Sequence, residues 1–401
     1  MHRNFAVDIN EPQARGFAQS GVRVANERAV LTLIAINPGS SNADLARLSG
    51  LGPQTTSRIL AELESRDLVL RGTPLRGRRG QPATPLFINP DGAYVIGVEI
   101  GWRSLEVVLL SMTGQTLASV SRNHAWPDAK TIFTDIAAEV TTLRASLTRQ
   151  QSDRMVGLGV SISRNLADGL KALGAPEEQL ALWAEVDIAA HLQDLTGLET
   201  SCISVGSSAS WSEWLALPQP WPASFACLYI GAFLGAGILI NGSLWESRSS
   251  NGASLGDIIV PDANGKLATV QDTASLLALQ RRVEAAGGKL PQTKVSKWDW
   301  SSLPPEANAW FDDAARALAV AVLNTSAVIE VERVVIDGIL PREVMARLVE
   351  RVTHHLAQLP NSRQVPTLSL GKMGTAAAAN GVAQMLLFRR FFARAWDLFV
   401  T

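Results

Sequence analysis

The feature that most constrains this sequence begins at Ala93: short hydrophobic runs bounded by glycine, alternating with longer helical stretches. Residues 94–100, 105–110 and 117–120 read as strands, and the Ala/Leu-rich stretch 130–147 reads as a helix. A second set follows, with strands at 225–230, 237–240 and 333–336 and a helix within 305–328. Two such sets predict two α/β lobes with a cleft between them.

A chain of 401 residues leaves room for a further small module. With 47% hydrophobic and 18% charged residues, it has the composition of a packed globular protein. Residues 223–240 form an 18-residue, mostly apolar run long enough to raise a membrane span. Gly231, Gly235 and Gly237 interrupt it, Pro218, Pro220 and Pro222 precede it, and no Lys or Arg flanks it closely. Two buried strands joined by a glycine turn fit better, so no membrane partner is expected. Only Cys202 and Cys227 are present, too few for a disulfide framework or a four-thiolate metal site, which points to the reducing cytoplasm. Residues 1–20 contain no secretion-like apolar stretch and read as a loose arm.

The net charge of −1 is unevenly spread. Residues 21–85 hold nine arginines and five acids, an excess of +4 that points to a polyanionic partner. Val30, Leu33 and Ile34 mark an amphipathic helix over 23–36, stopped by Asn37-Pro38-Gly39. Ser41-Asn42-Ala43-Asp44 has the form of a capping box and opens a short helix ending at the Ser49-Gly50-Leu51 turn. A third helix starts with Gly52 and Pro53 and buries Thr56, Ile59, Leu60 and Leu63. Its other face offers Gln54, Thr55, Ser57 and Arg58 where a recognition helix would meet base edges and phosphates. Two short strands, 68–71 and 84–88, flank a basic loop, so that Arg76, Arg78 and Arg79 would form a wing able to neutralise phosphates. A winged helix-turn-helix binding double-stranded DNA is the reading; a protein-binding three-helix bundle is the alternative.

With these elements placed, the sequence resembles the ROK family (repressors, open reading frames, sugar kinases), and specifically its DNA-binding repressor branch. Residues 50–59 resemble the family's recognition helix, and Gly80-Gln81-Pro82-Ala83 its wing motif, with Gln81 where Arg is usual. Residues 95–101 are similar to its first phosphate strand, 228–240 to its second, and 334–338 to its adenosine-side strand. Residues 314–328 and 370–387 resemble late helices of the family. The resemblance implies an α/β, actin-like (ribonuclease H-like) two-lobed body. The expected division is an arm over 1–20, a winged helix-turn-helix over 21–88, and lobes over 89–204 and 205–401.

A kinase of this family needs a small, Gly-rich first turn, yet this chain has Glu99-Ile100-Gly101-Trp102-Arg103. The second turn keeps Gly231, Gly235 and Gly237 but carries Phe233 and Leu234; plain strand-turn packing also explains these glycines. Aligned on Glu213, the family's proton-accepting Asp falls on Val205, and valine cannot accept a proton. No Cys or His lies between Val260 and Ser275, where the family carries a zinc loop, so no metal, cofactor or catalytic residue is expected. Ser204, Ser254, Asp257 and Gln271 stand near the family's sugar-contacting positions. They would bind a small, neutral, hydroxyl-rich effector, a sugar or polyol, unless the cleft is vestigial. The expected assembly is a homodimer or homotetramer; residues 317–328 and 388–400 offer apolar surface for association, although core packing explains the former more simply. Alternatives are a sugar kinase with an added DNA-binding end and a DNA-tethered scaffold for another protein.

Overall fold

The computed structural model describes residues 19–74, 84–163, 166–245, 253–262, 264–291, 293–360 and 365–393. Three helices open the chain: α1 (Gln19–Ile36), α2 (Asn42–Ser49) and α3 (Pro53–Ser65). Helix α1 begins four residues before the periodicity predicts, inside the expected arm. The Ser41 side chain caps α2 and Asp44 returns the bond, forming the expected capping box. Gly50 ends α2 at φ 68°, a left-handed conformation that favours glycine and turns the chain into α3. Strands β1 (Val69–Arg71) and β2 (Leu86–Ile88) pair antiparallel as the base of the wing. Arg76, Arg78, Arg79 and Gln81 lie outside the described residues.

The first lobe is built on β3 (Tyr94–Ile100), β4 (Ser104–Ser111), β5 (Thr116–Asn123), β6 (Met155–Ile162) and β7 (Thr200–Ser204), in the order β5-β4-β3-β6-β7. Helices α4 (Ile132–Ala145), α5 (Arg149–Ser152), α6 (Leu166–Ala172), α7 (Glu177–Glu185) and α8 (Ile188–Thr196) complete it. After α9 (Val205–Leu215) come β8 (Ser224–Ile230), β9 (Leu234–Ile240) and β10 (Ser243–Leu244). A hairpin of β11 (Ile259–Pro261) and β12 (Leu267–Thr269) precedes α10 (Val270–Ala274), α11 (Leu276–Ala285) and α12 (Pro305–Ile329). The chain then runs through β13 (Arg333–Gly338), α13 (Arg342–Gln358), β14 (Thr367–Leu370) and α14 (Ala377–Phe391). The second sheet has the order β10-β9-β8-β13-β14. In both sheets the first three strands form an antiparallel meander and the last two add in parallel. The lobes therefore repeat one topology, as the two sets of hydrophobic runs require.

Helices α9 and α14 cross each other between the sheets at backbone contact. A Cβ on Gly381 of α14 would meet the Ser208 carbonyl oxygen of α9 at 1.7 Å. On the first sheet, Gly97 and Gly159 admit α14: a Cβ on Gly97 would meet Ala379 O at 2.0 Å, and one on Gly159 would meet Val382. On the second sheet, Gly206 of α9 packs on Ala236, and Gly237 faces Ser210. This explains why β9 begins at Leu234, three residues before the expected start: its glycines are sheet positions covered by α9. It also shows that α14 packs on the first lobe's sheet although its sequence position falls in the segment expected to be the second lobe.

The same helix holds the DNA-binding module. At its end the Ala393 amide donates to Thr32 Oγ1 of α1 at 2.9 Å. Phe388, Phe391 and Phe392 pack into the core shared by α1, α3 and the first sheet, so these aromatics serve the chain's own core. Ala317, Leu318, Ala319, Ala321 and Val322 of α12 are likewise buried within the second lobe, leaving Asn324, Ala327 and Val328 exposed in that segment, Val328 at 83%. A second tie runs from Arg154, whose Nη1 donates to Asp91 O at 2.8 Å and whose Nη2 donates to Asp67 Oδ2 at 2.5 Å. Asn89 Nδ2 donates to Asp67 O at 2.7 Å.

Replacing Gly381 with Ala forces a methyl group into backbone and should destabilise the chain by about 1–3 kcal/mol, read as a lower urea midpoint. An unchanged midpoint would mean that the crossing of α9 and α14 is looser than described.

Candidate functional site: a nucleic-acid interface and an interlobe cleft

On α3 the buried face is Thr56, Ile59, Leu60 and Leu63, as the periodicity predicts. Gln54, Ser57 and Arg58 are exposed and Thr55 is half-buried. Asn42 Nδ2 of α2 donates to Ser57 Oγ at 2.7 Å, so one residue of the reading face is held from the neighbouring helix. Asn42 was not singled out from sequence, although its place beside the cap Ser41 fits that role. Most of the described arginines of the module are committed elsewhere. Arg23 and Arg66 pair with the buried Glu27, Arg47 with Asp44, and Arg71 with Glu64. Arg58 makes no ion pair among the described residues and stays available to an external anion. Arg28 of α1 also makes no ion pair among the described residues, and Arg58 lies on the exposed face of α3.

The cleft between the lobes has a volume of about 790 Å³ and is lined by all four expected effector positions, Ser204, Ser254, Asp257 and Gln271. They differ in availability. Ser204 Oγ caps α9 by accepting from the Ser207 amide at 3.3 Å, and it donates to Ser207 Oγ. Gln271 Oε1 accepts from the Leu234 amide at 2.6 Å and so holds the second glycine turn. Ser254 and Asp257 are exposed on the cleft wall. Val205 opens α9 and also lines the cleft.

Trp102 and Phe233 stand on opposite lobes, one in each glycine turn, and meet edge to face with ring centroids 4.8 Å apart. Gly169 of α6 lies against the same indole. Where small turns would leave room for phosphate oxygens, this chain places an aromatic contact. A second cross-cleft link was invisible in the sequence: Lys294 Nζ, from the second lobe, donates to Glu106 Oε1 at 2.6 Å and to Ser121 Oγ at 2.8 Å.

Sequence reading also missed a pair of buried carboxyls. Glu213 of α9 and Asp337 at the end of β13 are 1% and 4% exposed. Burial first, and the hydrogen bond and charge of Asp337 second, push the Glu213 carboxyl up to about 8. Its oxygens accept from the amides of Lys372 at 2.9 Å and Met373 at 2.8 Å, while Asp337 Oδ2 accepts from Gly374 at 2.6 Å. The pair thereby fixes the turn that leads into α14. A lone Glu and a strand-end Asp far apart in sequence gave no sign of this meeting.

A ROK family sequence model matches residues 95–388, and one described as winged helix-turn-helix DNA-binding matches residues 25–69. The chain is 26% identical to the uncharacterised protein y4fQ of Sinorhizobium fredii over 92% of each. It is 20% identical to the xylose repressor of Bacillus spizizenii over 62% of this chain and 63% of that protein. Among solved structures, a ROK family transcriptional regulator, homologue of the E. coli MLC protein, superposes with TM-score 0.66 at 19% identity, covering 94% of this chain and 99% of the other. A ROK family glucokinase from Streptomyces griseus in complex with glucose and AMPPNP gives 0.57 at 18% identity, over 73% of this chain and 99% of the enzyme. The second likeness shows that the two-lobed body has a kinase's fold. No helix among the described residues is long and apolar enough to cross a membrane.

The Glu213–Asp337 pair makes stability depend on pH. A carboxyl raised from 4.5 to about 8 binds a proton in the folded chain that the unfolded chain has released. Its contribution is therefore complete below pH 4.5 and lost as pH rises through about 8, at up to about 1.4 kcal/mol per unit. Asp337→Asn lets Glu213 ionise beside an amide donor, so the fall in urea midpoint between pH 6 and 8 should become shallower. An equal slope in the variant would contradict the shared-proton reading.

Proposed function

The chain belongs to the ROK family, and from that premise we propose that it is a sequence-specific DNA-binding transcriptional regulator, a repressor of carbohydrate-related genes. Its kinase-like body serves as a sensor of a sugar or other hydroxyl-rich effector. The observation that carries this reading is a reading helix whose exposed Arg58 makes no ion pair among the described residues, joined to a kinase-like cleft whose two glycine turns are bridged by Trp102 and Phe233. The helix offers polar side chains suited to DNA recognition, whereas in the cleft Trp102 and Phe233 narrow the space between the glycine turns and Val205 stands where the family resemblance puts the proton-accepting Asp. The likeness to a xylose repressor and to an MLC homologue supports a regulator by analogy.

In this reading Gln54 and Arg58 read base edges, Thr55 and Ser57 grip phosphate, and Arg76, Arg78, Arg79 and Gln81 of the wing add backbone or minor-groove contacts. A cytoplasmic homodimer would present two recognition helices to a palindromic site about 34–36 Å centre to centre. Effector binding in the cleft shifts the lobes, and α14 passes the shift to α1. Footprinting of the DNA beside its own gene, repeated with candidate sugars, tests the whole proposal. Protection of an inverted repeat that changes with one sugar supports it, whereas no protected site refutes it. ATP turnover over a sugar panel should stay at background, and phosphorylation of any sugar would restore the kinase alternative.

Arg58→Ala should weaken specific operator binding by about 1–3 kcal/mol if the guanidinium reads a base. If it holds phosphate instead, affinity should fall evenly across sequences and the salt slope should drop by about 0.9. Fluorescence anisotropy at several salt concentrations separates the two, and unchanged binding would remove Arg58 from the interface.

A further inference from the structure

Glu99 is 7% exposed, lines the cleft, and makes no hydrogen bond or ion pair among the described residues. It sits on β3 directly opposite Glu106 of β4. The Lys294 ammonium bonds Glu106 and not Glu99, so one cation serves two adjacent carboxyls. Ser161, beside Glu99 in the β6 register, is fully buried and its hydroxyl also has no partner. Around the whole cleft the described carboxylates are Glu99, Glu106, Asp257 and Glu284, against the cations Arg103, Lys289 and Lys294. Among the described residues the lining carries one carboxyl more than it carries cations, and Glu99 is the most buried of these carboxyls.

We infer that the ligand of this cleft carries a primary ammonium group besides its hydroxyls, an amino sugar or amino polyol, with Glu99 as the residue that selects it. The inference rests on the reading of the cleft as an effector site and replaces the neutral ligand expected from the sequence. An ammonium supplies a positive charge and donates to the orphan Glu99 carboxyl. A neutral hydroxyl at the same place would meet Glu99 as a protonated carboxyl and gain a hydrogen bond without a charge pair. Without ligand Glu99 takes a proton: burial first, then the Glu106 carboxylate, raise the Glu99 carboxyl to about 8, with Lys294 opposing. The other titratable group facing it, Tyr229, is held neutral by burial. When the ammonium arrives, the Glu99 O–H bond breaks, an N–H···O bond forms, and one proton leaves to solvent.

Calorimetry of the full chain at pH 7, in phosphate and in Tris, with matched pairs tests this: D-glucosamine against D-glucose, D-mannosamine against D-mannose, glucamine against sorbitol. At least one amine should bind about tenfold or more tightly than its hydroxyl partner, with a heat that differs between buffers by nearly one proton released per ligand. Glu99→Gln should abolish both signatures. Glu106→Gln, which frees Lys294 to serve Glu99, should weaken the preference and stands in if the first variant fails to fold. A hydroxyl partner binding as tightly as its amine, or a preference that survives Glu99→Gln, would overturn the inference and leave the effector reading intact. Binding by no member of any pair would overturn both. Amine binding that leaves operator affinity unchanged would uphold the site and refute its regulatory role.

Discussion

Everything in this molecule depends on the crossing of α9 and α14. Gly381 against the Ser208 carbonyl brings two helix backbones together between the sheets, and glycines on β3, β6 and β9 let each sheet close on them. Close packing of this kind does not deform gradually, so a change in lobe angle must move the helices as bodies. One end of the assembly is the cleft, where Ser204 caps α9. The other is Ala393 on Thr32 of α1. The buried Glu213–Asp337 pair fixes the turn between β14 and α14, so a protonation event is built into the same strut.

The strands and helices with strong periodicity were legible from residues alone. Residues 94–100 read as the strand that exists, and the Ser41 box and Pro53 start placed α2 and α3. Strands β6 and β7 were not singled out, since their Gly- and Ser-rich runs owe their place to helices that pack on them rather than to their own composition. The reading face of α3 was legible because a helix has one polar side once its apolar side is known. Four cleft positions were found only through family resemblance, and the structure gives two of them local work: Ser204 caps a helix and Gln271 holds a turn. Glu99, Glu106 and Lys294 were beyond sequence reasoning, because their meeting needs a strand register and a contact across the cleft.

The cleft of this kinase-like frame carries aromatic side chains in both glycine turns. Trp102 and Phe233 fill the space between the turns and at the same time tie one lobe to the other. Lys294 adds a charged tie nearby. In the proposed reading that space holds the lobes in a definite relation, from which an effector would displace them. The duplicated sheet topology leaves α9 and α14 packed between the cleft and α1.

The central claim is that the cleft and the reading helix are coupled through α9 and α14. Because coupling between two binding sites is reciprocal, operator DNA alone must alter the cleft. Hydrogen–deuterium exchange of the full chain with and without its operator measures this directly. Coupling predicts changed protection in α3 and also in residues 204–208 and 371–393. Changes confined to residues 19–88 would contradict it.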